Sequence, residues 1–233
     1  MKYLGGKFRL SKQIASIVNA ERGGRRFWEP FCGGLNVSPH LAAHGHGLIS
    51  DACRPLVALY KAVQRGWDPP SVVSESEYAA ARALPDDDPM KAFVGFGCSF
   101  GGKWFAGYAR SGDGKRNYAD EARRSLLRDV PRIANCRIVC LDFLAIQPRR
   151  DADLVIYCDP PYANTTAYAG APAFDSAAFW DLVRGWERYG VPVFVSEYEC
   201  PIPSRVVWER RHKSSVARTT VLETTERLFR VAV

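Results

Sequence analysis

No stretch of the 233-residue chain is apolar for long enough to span a bilayer, and its opening MKYLGGKFRL is cut by glycine and lysine where a secretory signal would carry an apolar core. A membrane or exported protein is therefore not expected, and the cytoplasm is the expected compartment. Seven cysteines, at 32, 53, 98, 136, 140, 158 and 200, make an odd number with no C-x-x-C pair, so neither a disulfide framework nor a zinc ribbon is expected. The G-x-S-x-G of a serine nucleophile is absent. So is the Pro-Cys dipeptide of enzymes that attack a cytosine ring, since Cys200-Pro201 runs the other way. His40, His44 and His46 form an H-x-x-x-H-x-H cluster with no nearby Cys, Asp or Glu to complete a metal set, which reads as a solvated helix end and no metal. Internal repeats and low-complexity tracts are also lacking.

What remains has the composition of a packed globular protein, 47% hydrophobic and 24% charged. The length suits one full core with a small inserted unit and is too short for two large domains. A net charge of +7 and a pI near 9.1 favour an anionic partner, nucleic acid or a membrane surface.

Short apolar runs that end in small or acidic residues read as strands: 26–31, 47–51, 137–143, 154–159, 191–198, 205–210 and 227–233. Between them Phe179, Leu182, Val183 and Trp186 make one apolar helical stripe behind an Asp175 N-cap, and further helices are expected over 11–20 and 118–134. Strands alternating with helices predict an α/β sheet covered on both faces, with ligands at the carboxyl ends of its strands. Residues 66–132 break the rhythm with Pro69-Pro70, Asp86-Asp87-Asp88-Pro89 and the glycine- and aromatic-rich GFGCSFGGKWFAGYARSGDGKRNY, and read as an insertion. Within 91–132 nine Lys or Arg face four acids, a net +5 of the total +7.

The most informative residues are Asp159-Pro160-Pro161-Tyr162, directly after the apolar run 154–158. An amine on an aromatic ring has a delocalised, poorly nucleophilic lone pair. Two acceptors aimed at its hydrogens localise that pair: the Asp159 carboxylate and the Pro160 carbonyl, the latter in a turn stiffened by Pro160 and Pro161. Tyr162 offers a flat face for an extruded base. A proline turn closing a buried strand is the structural alternative.

The run Phe27-Trp28-Glu29-Pro30-Phe31-Cys32-Gly33-Gly34 reads as strand, close-approach glycines and helix start, with Glu29 placed for a cofactor's ammonium and Phe31 and Gly33 beside it. A plain tight turn fits it as well. Asp51, about twenty residues on and ending the next strand, suits ribose hydroxyls, or a helix cap ahead of Pro55. Asp142-Phe143 suits an adenine, carboxylate to amine and ring to ring, or a cap beside a core Phe. Tyr3-Leu4-Gly5-Gly6-Lys7 joins glycines, a cation and an aromatic, unless it is a frayed terminus.

In this order KYLGGK, FWEPFCGG, SDAC, LDF and CDPPY resemble the D12-class (Dam-like) DNA adenine N6-methyltransferases, particularly short phage and prophage members, from Lys2 to about Tyr198. The resemblance implies a Rossmann-like S-adenosylmethionine-dependent methyltransferase sheet. It assigns Tyr3, Lys7, Asp51 and Asp159 to S-adenosylmethionine, Asp142 and Phe143 to its adenine, and residues 159–162 to catalysis. Residues 1–65 and 133–233 would form the catalytic domain, and 66–132 a small, mainly helical DNA-recognition subdomain on double-stranded DNA, with Lys103, Arg110, Lys115, Arg116 and Asn117 as contacts. The sequence departs from many members at Cys53, where they carry Asn. Alternatives are transfer to cytosine N4, to RNA adenine or to a protein glutamine, and a catalytically silent DNA-binding protein on the same fold. Asp at the head of DPPY favours adenine over the Ser of many N4 enzymes, and the basic insertion favours nucleic acid.

Overall fold

The computed structural model describes residues 1–150, 153–161, 174–217 and 220–232, with side chains described outside 212–223. The chain begins with α1 (Ser11–Arg22), β1 (Arg26–Glu29), α2 (Ser38–Leu41), β2 (Gly47–Asp51) and α3 (Arg54–Gln64). Then follow α4 (Glu75–Ala80), α5 (Pro89–Ala92), α6 (Tyr118–Asp129), β3 (Arg137–Cys140), β4 (Leu154–Cys158), α7 (Ser176–Arg188), β5 (Val193–Glu197), β6 (Ser204–Ala217) and β7 (Thr220–Val231).

The strands form one seven-stranded sheet in the order β3-β2-β1-β4-β5-β7-β6, parallel as far as β5, with β7 antiparallel to both β5 and β6. This is a mixed, Rossmann-like α/β architecture. Strand order reverses between β1 and β4, the crevice where such sheets bind ligands beyond their carboxyl ends.

Neighbouring residues of the central strands feed two cores. Phe27, Val155, Tyr157 and Phe194 join one cluster with Ile14, Val18, Leu56 and Tyr60. Trp28, Ile156, Cys158, Val193 and Val195 join the other with Phe179, Val183 and Trp186 of α7. Period-two alternation into two apolar layers requires both faces covered, which explains the continuous apolar texture of β4 and β5. Asp175 caps α7, accepting from the Ala178 N–H at 3.0 Å, and the stripe behind it fills the second core as its spacing predicts.

Several element boundaries differ from expectation. The helix expected to run to 134 ends at Asp129 and continues as a 3-10 turn over Val130–Ile133, because Pro131 can neither donate to the helix nor fit its interior. The strand ending at Arg210 runs on to Ala217 and pairs with β7 through Thr220. Residues 66–132 are helical, but Val73, Tyr78, Phe93, Val94 and Phe96 share the core that holds Phe27 and Tyr60. They add a layer to the sheet domain instead of enclosing a core of their own.

Candidate active site

A cavity of about 1570 Å³ opens at the carboxyl ends of the parallel strands. Glu29 ends β1, Asp51 ends β2, Asp142 follows β3 and Asp159 follows β4, and all four line it. The sheet thus gathers four acids separated by up to 130 residues in sequence.

Asp159 is three-quarters or more buried, and its carboxylate receives the Lys7 ammonium at 2.8 Å. Lys7 also reaches Glu226 of β7 at 3.2 Å and is 6% exposed. Burial pulls the Lys7 pKa down, but the Asp159 and Glu226 carboxylates more than offset it, so the value lies above that of an ordinary lysine. Lys7 is therefore a fixed cation that orients Asp159. Pro160 and Pro161 follow on the cavity wall; Tyr162 lies outside the described residues.

The loop carrying Lys7 is held by close backbone approach. A Cβ on Gly34 would meet the Tyr3 side chain at 2.7 Å, and one on Gly33, at φ +42°, would meet its ring at 3.0 Å. The glycine pair after β1 therefore makes room for the amino-terminal loop, a use that neither the expected cofactor approach nor a plain tight turn includes. Tyr3 in turn packs on Phe96, ring centroids 5.0 Å apart, so this terminus is not frayed.

Asp51 accepts backbone N–H groups from Gly33 and Cys53, each at 2.9 Å. Burial raises its pKa and those two bonds restrain the rise. The Cys53 backbone orders this loop without a side-chain amide. Glu29 is 2% exposed. Its pKa is raised to about 8, chiefly by burial, against the lowering effect of a bond from the Ser38 hydroxyl. An ammonium beside Glu29 would favour its ionised form and draw that pKa down again.

Asp142 caps the turn Phe143–Ala145, accepting from the Leu144 N–H at 2.9 Å, and its side chain stays exposed on the cavity. The placement of Phe143 against an adenine is corrected: the ring is 1% exposed and packs with Trp28, Phe31 and Phe179. The apolar cavity wall there is Phe31, Leu144 and Phe174. Sequence reasoning missed Glu226, Tyr198, Asn36 and Arg210, which also line the cavity.

The basic residues expected on DNA divide. Arg110 pairs with Glu75, and Arg116 with Glu121 at 2.6 Å while also lying over the Tyr118 ring. Asn117 caps α6, accepting from the Asp120 N–H at 3.1 Å and donating to the Ser71 carbonyl at 2.9 Å. Lys103 lines the cavity and Lys115 is exposed, and neither has an ion-pair partner among the described residues. The expected concentration of positive charge is also corrected, because residues 66–132 as a whole carry ten Lys or Arg and ten Asp or Glu. Arg123 and Lys91 pair with Asp68 and Asp86, acids that lie before residue 91. Among the described residues no group of His, Cys, Asp and Glu could hold a metal ion, and no helix is long and apolar enough to cross a membrane. His40 meets the Arg132 guanidinium instead, at 3.2 Å.

The strand order, with its reversal between β1 and β4, defines the class: a Rossmann-like α/β fold. The model of the D12 class N6 adenine-specific DNA methyltransferases matches residues 3–89, just over a third of the chain, and together with the fold this supports a methyltransferase. No curated protein matches the sequence. Solved structures similar to it include TrmN from Thermus thermophilus (13% identity, TM-score 0.40, 95% of this chain and 48% of that one). Another is yhhF from Escherichia coli (10%, TM-score 0.41, 99% and 89%). A third is precorrin-6y C5,15-methyltransferase from Geobacter metallireducens GS-15 (7%, TM-score 0.38, 95% and 87%). The chain thus spans about half the length of TrmN.

Proposed function

We propose that the protein transfers a methyl group from S-adenosylmethionine to the N6 amine of an adenine in double-stranded DNA. The observation that carries this reading is Asp159, fixed by Lys7 at the carboxyl end of β4 and followed by Pro160-Pro161 on the cavity wall. The residues present fit the cofactor. Asp51 spends one lone pair per oxygen on the backbone and keeps others for ribose hydroxyls, Asp142 is open to an exocyclic amine, and Phe31 and Leu144 give an apolar wall. The volume exceeds the roughly 300–1,000 Å³ of a single small-molecule pocket, leaving room for an extruded base.

Bound S-adenosylmethionine supplies a methyl on a sulfonium, which departs as a neutral thioether. The chain supplies alignment. Asp159 and the Pro160 carbonyl accept the two amine hydrogens and return the lone pair to nitrogen, and Tyr162 stacks on the ring. As the N–C bond forms the nitrogen becomes acidic, and its proton leaves to Asp159 or water, so no strong base is needed. Holding the nucleophile in line provides most of the acceleration. Target contacts fall to residues 66–132 as the recognition unit, Lys103 and Lys115 being two of its cations without an ion-pair partner among the described residues. Such an activity would serve either protection against restriction or modification of phage DNA, and the cytoplasm is the compartment proposed for it.

Expression in cells that lack adenine methylation, followed by base-resolution mapping of genome and RNA, tests the reading. N6-methyladenine in a defined DNA context is expected. N4-methylcytosine, methylated RNA alone, or an unmodified genome overturns it.

A further inference from the structure

Tyr60 of α3 is 0% exposed and sits in the apolar cluster that holds Leu56, Val57 and Leu59. A phenylalanine would fill the same space, so the hydroxyl is what needs a reason, since burying one costs free energy unless it finds a partner. Its partner is the Gly33 carbonyl, which accepts from the Tyr60 O–H at 2.6 Å. Gly33 lines the cavity and Tyr60 does not. Burial raises the Tyr60 pKa well above that of an ordinary tyrosine, so the group stays a donor at any working pH.

Gly33 is held at both ends. Its carbonyl accepts from Tyr60, and its N–H donates to Asp51 Oδ2 at 2.9 Å. Both groups turn with the φ and ψ of this one residue, which stands at φ +42°. Glycine adopts either sign of φ about equally, so nothing in Gly33 itself selects that conformation. Two residues on, Leu35 is also left-handed, at φ +56°, a conformation that residues with a Cβ seldom adopt. The loop therefore needs restraint from outside. The Cys32 N–H supplies one by donating to the Ser50 carbonyl at 3.1 Å, and Tyr60 supplies another.

We infer that Tyr60 is a positioning residue for the cofactor, which through Gly33 aims the Asp51 carboxylate at the ribose hydroxyls of S-adenosylmethionine. This rests on the reading above, in which Asp51 takes the ribose. Each Asp51 oxygen accepts one backbone N–H, from Gly33 and from Cys53, both at 2.9 Å. With the two bonds in place the carboxylate plane is fixed and its remaining lone pairs keep one direction. Without the Tyr60 hydroxyl Gly33 can turn, and the carboxylate swings on the Cys53 bond. The Cys32 thiol, 3.9 Å from the same Oδ2, is too weak a donor to replace the lost restraint. The competing account is that the hydroxyl merely satisfies the nearest carbonyl of a buried loop.

The test titrates S-adenosylmethionine calorimetrically into the wild type, Tyr60→Phe, Asp51→Ala and the double variant. Tyr60→Phe is expected to weaken binding about fivefold. In the Asp51→Ala background the same change should weaken it less than about twofold, because a hydroxyl that acts through Asp51 then has nothing left to aim. On saturating DNA the cofactor KM should rise by about the same fivefold while kcat stays within about twofold of the wild type. A purely structural hydroxyl would leave both constants in place. A Tyr60→Phe variant that binds the cofactor like the wild type, or an effect undiminished without Asp51, overturns the positioning role and leaves the methyl-transfer reading standing. A variant that does not fold also overturns it, since the hydroxyl would then serve the fold. A wild type that binds the cofactor but methylates no DNA overturns the substrate reading and leaves the positioning role to the titrations. A wild type that does not bind S-adenosylmethionine overturns both.

Discussion

At Asp159 an apolar strand runs directly into a carboxylate, and that junction was legible because β4 ends where its Val-Ile-Tyr-Cys texture ends. The second acid on Lys7 was not legible. Glu226 lies in a Thr-rich polar run with no motif, and only the antiparallel return of β7 brings it to Lys7. Asp159→Ala should lower the single-turnover rate at least a hundredfold, since losing one preorganised contact of this kind costs about 2.7 to 4 kcal/mol. Retention of more than a tenth of the rate would exclude the amine clamp. Lys7→Met tests the positioning role separately. It leaves Asp159 and Glu226 facing the same site without their cation, which disfavours ionisation, so the pH–rate profile should move to higher pH, with kcat recovering as pH rises. An unmoved profile would leave Lys7 only a packing role. Glu29 makes a third case. Folded, it holds a proton from the ordinary 4.5 up to about 8, whereas the unfolded chain releases that proton across this window. Its contribution therefore makes stability fall as pH rises, by up to about 1.4 kcal/mol per unit. Glu29→Gln should remove this fall, so urea midpoints at pH 5 and pH 8 should lie closer together in the variant than in the wild type.

Elements that bury residues on both faces announced themselves, and those that do not stayed hidden. β1, β2, β4 and β5 and the stripe of α7 follow from apolar periodicity, because each position is committed to one core or the other. The outer halves of β6 and β7 carry RRHKSSVA and TVLETTE, which have no apolar face to betray a strand; their pairing with each other makes them strands. The basic run before α6 misled for a related reason. Asn117 next to four cations reads as a nucleic-acid contact, yet its side chain is committed to the start of α6 and to the Ser71 carbonyl. Asn117→Ala should therefore destabilise the protein by about 1 kcal/mol and leave duplex affinity unchanged. A loss of affinity without a loss of stability would return Asn117 to the interface.

On the scale of the whole molecule, the two cores lie on opposite faces of one sheet and approach each other around the cavity. Tyr3, Cys32 and Phe96 belong with the first core, and Phe31, Leu144 and Phe174 with the second, and a ligand spanning Asp51 and Asp142 would touch both. Such a ligand resists separation of either face, and its binding energy becomes folding energy. At a concentration one hundred times its Kd, S-adenosylmethionine should add about 2.7 kcal/mol. In a chain of this size that corresponds to a rise of roughly 5 to 10 °C in Tm. A chelator should not change the shift, since the four acids at the strand ends are assigned to hydrogen bonds. Asp51→Ala should remove from about half to nearly all of it at the same cofactor concentration. A charged hydrogen bond is worth about 1.5 to 3 kcal/mol, which raises Kd more than tenfold and leaves the free cofactor at roughly eight times its new Kd or less. Scanning calorimetry with cofactor, cofactor plus chelator, and the variant separates the possibilities. A shift that the chelator abolishes would assign the acids to a metal. A shift that survives Asp51→Ala in full would move the ribose contact away from the end of β2.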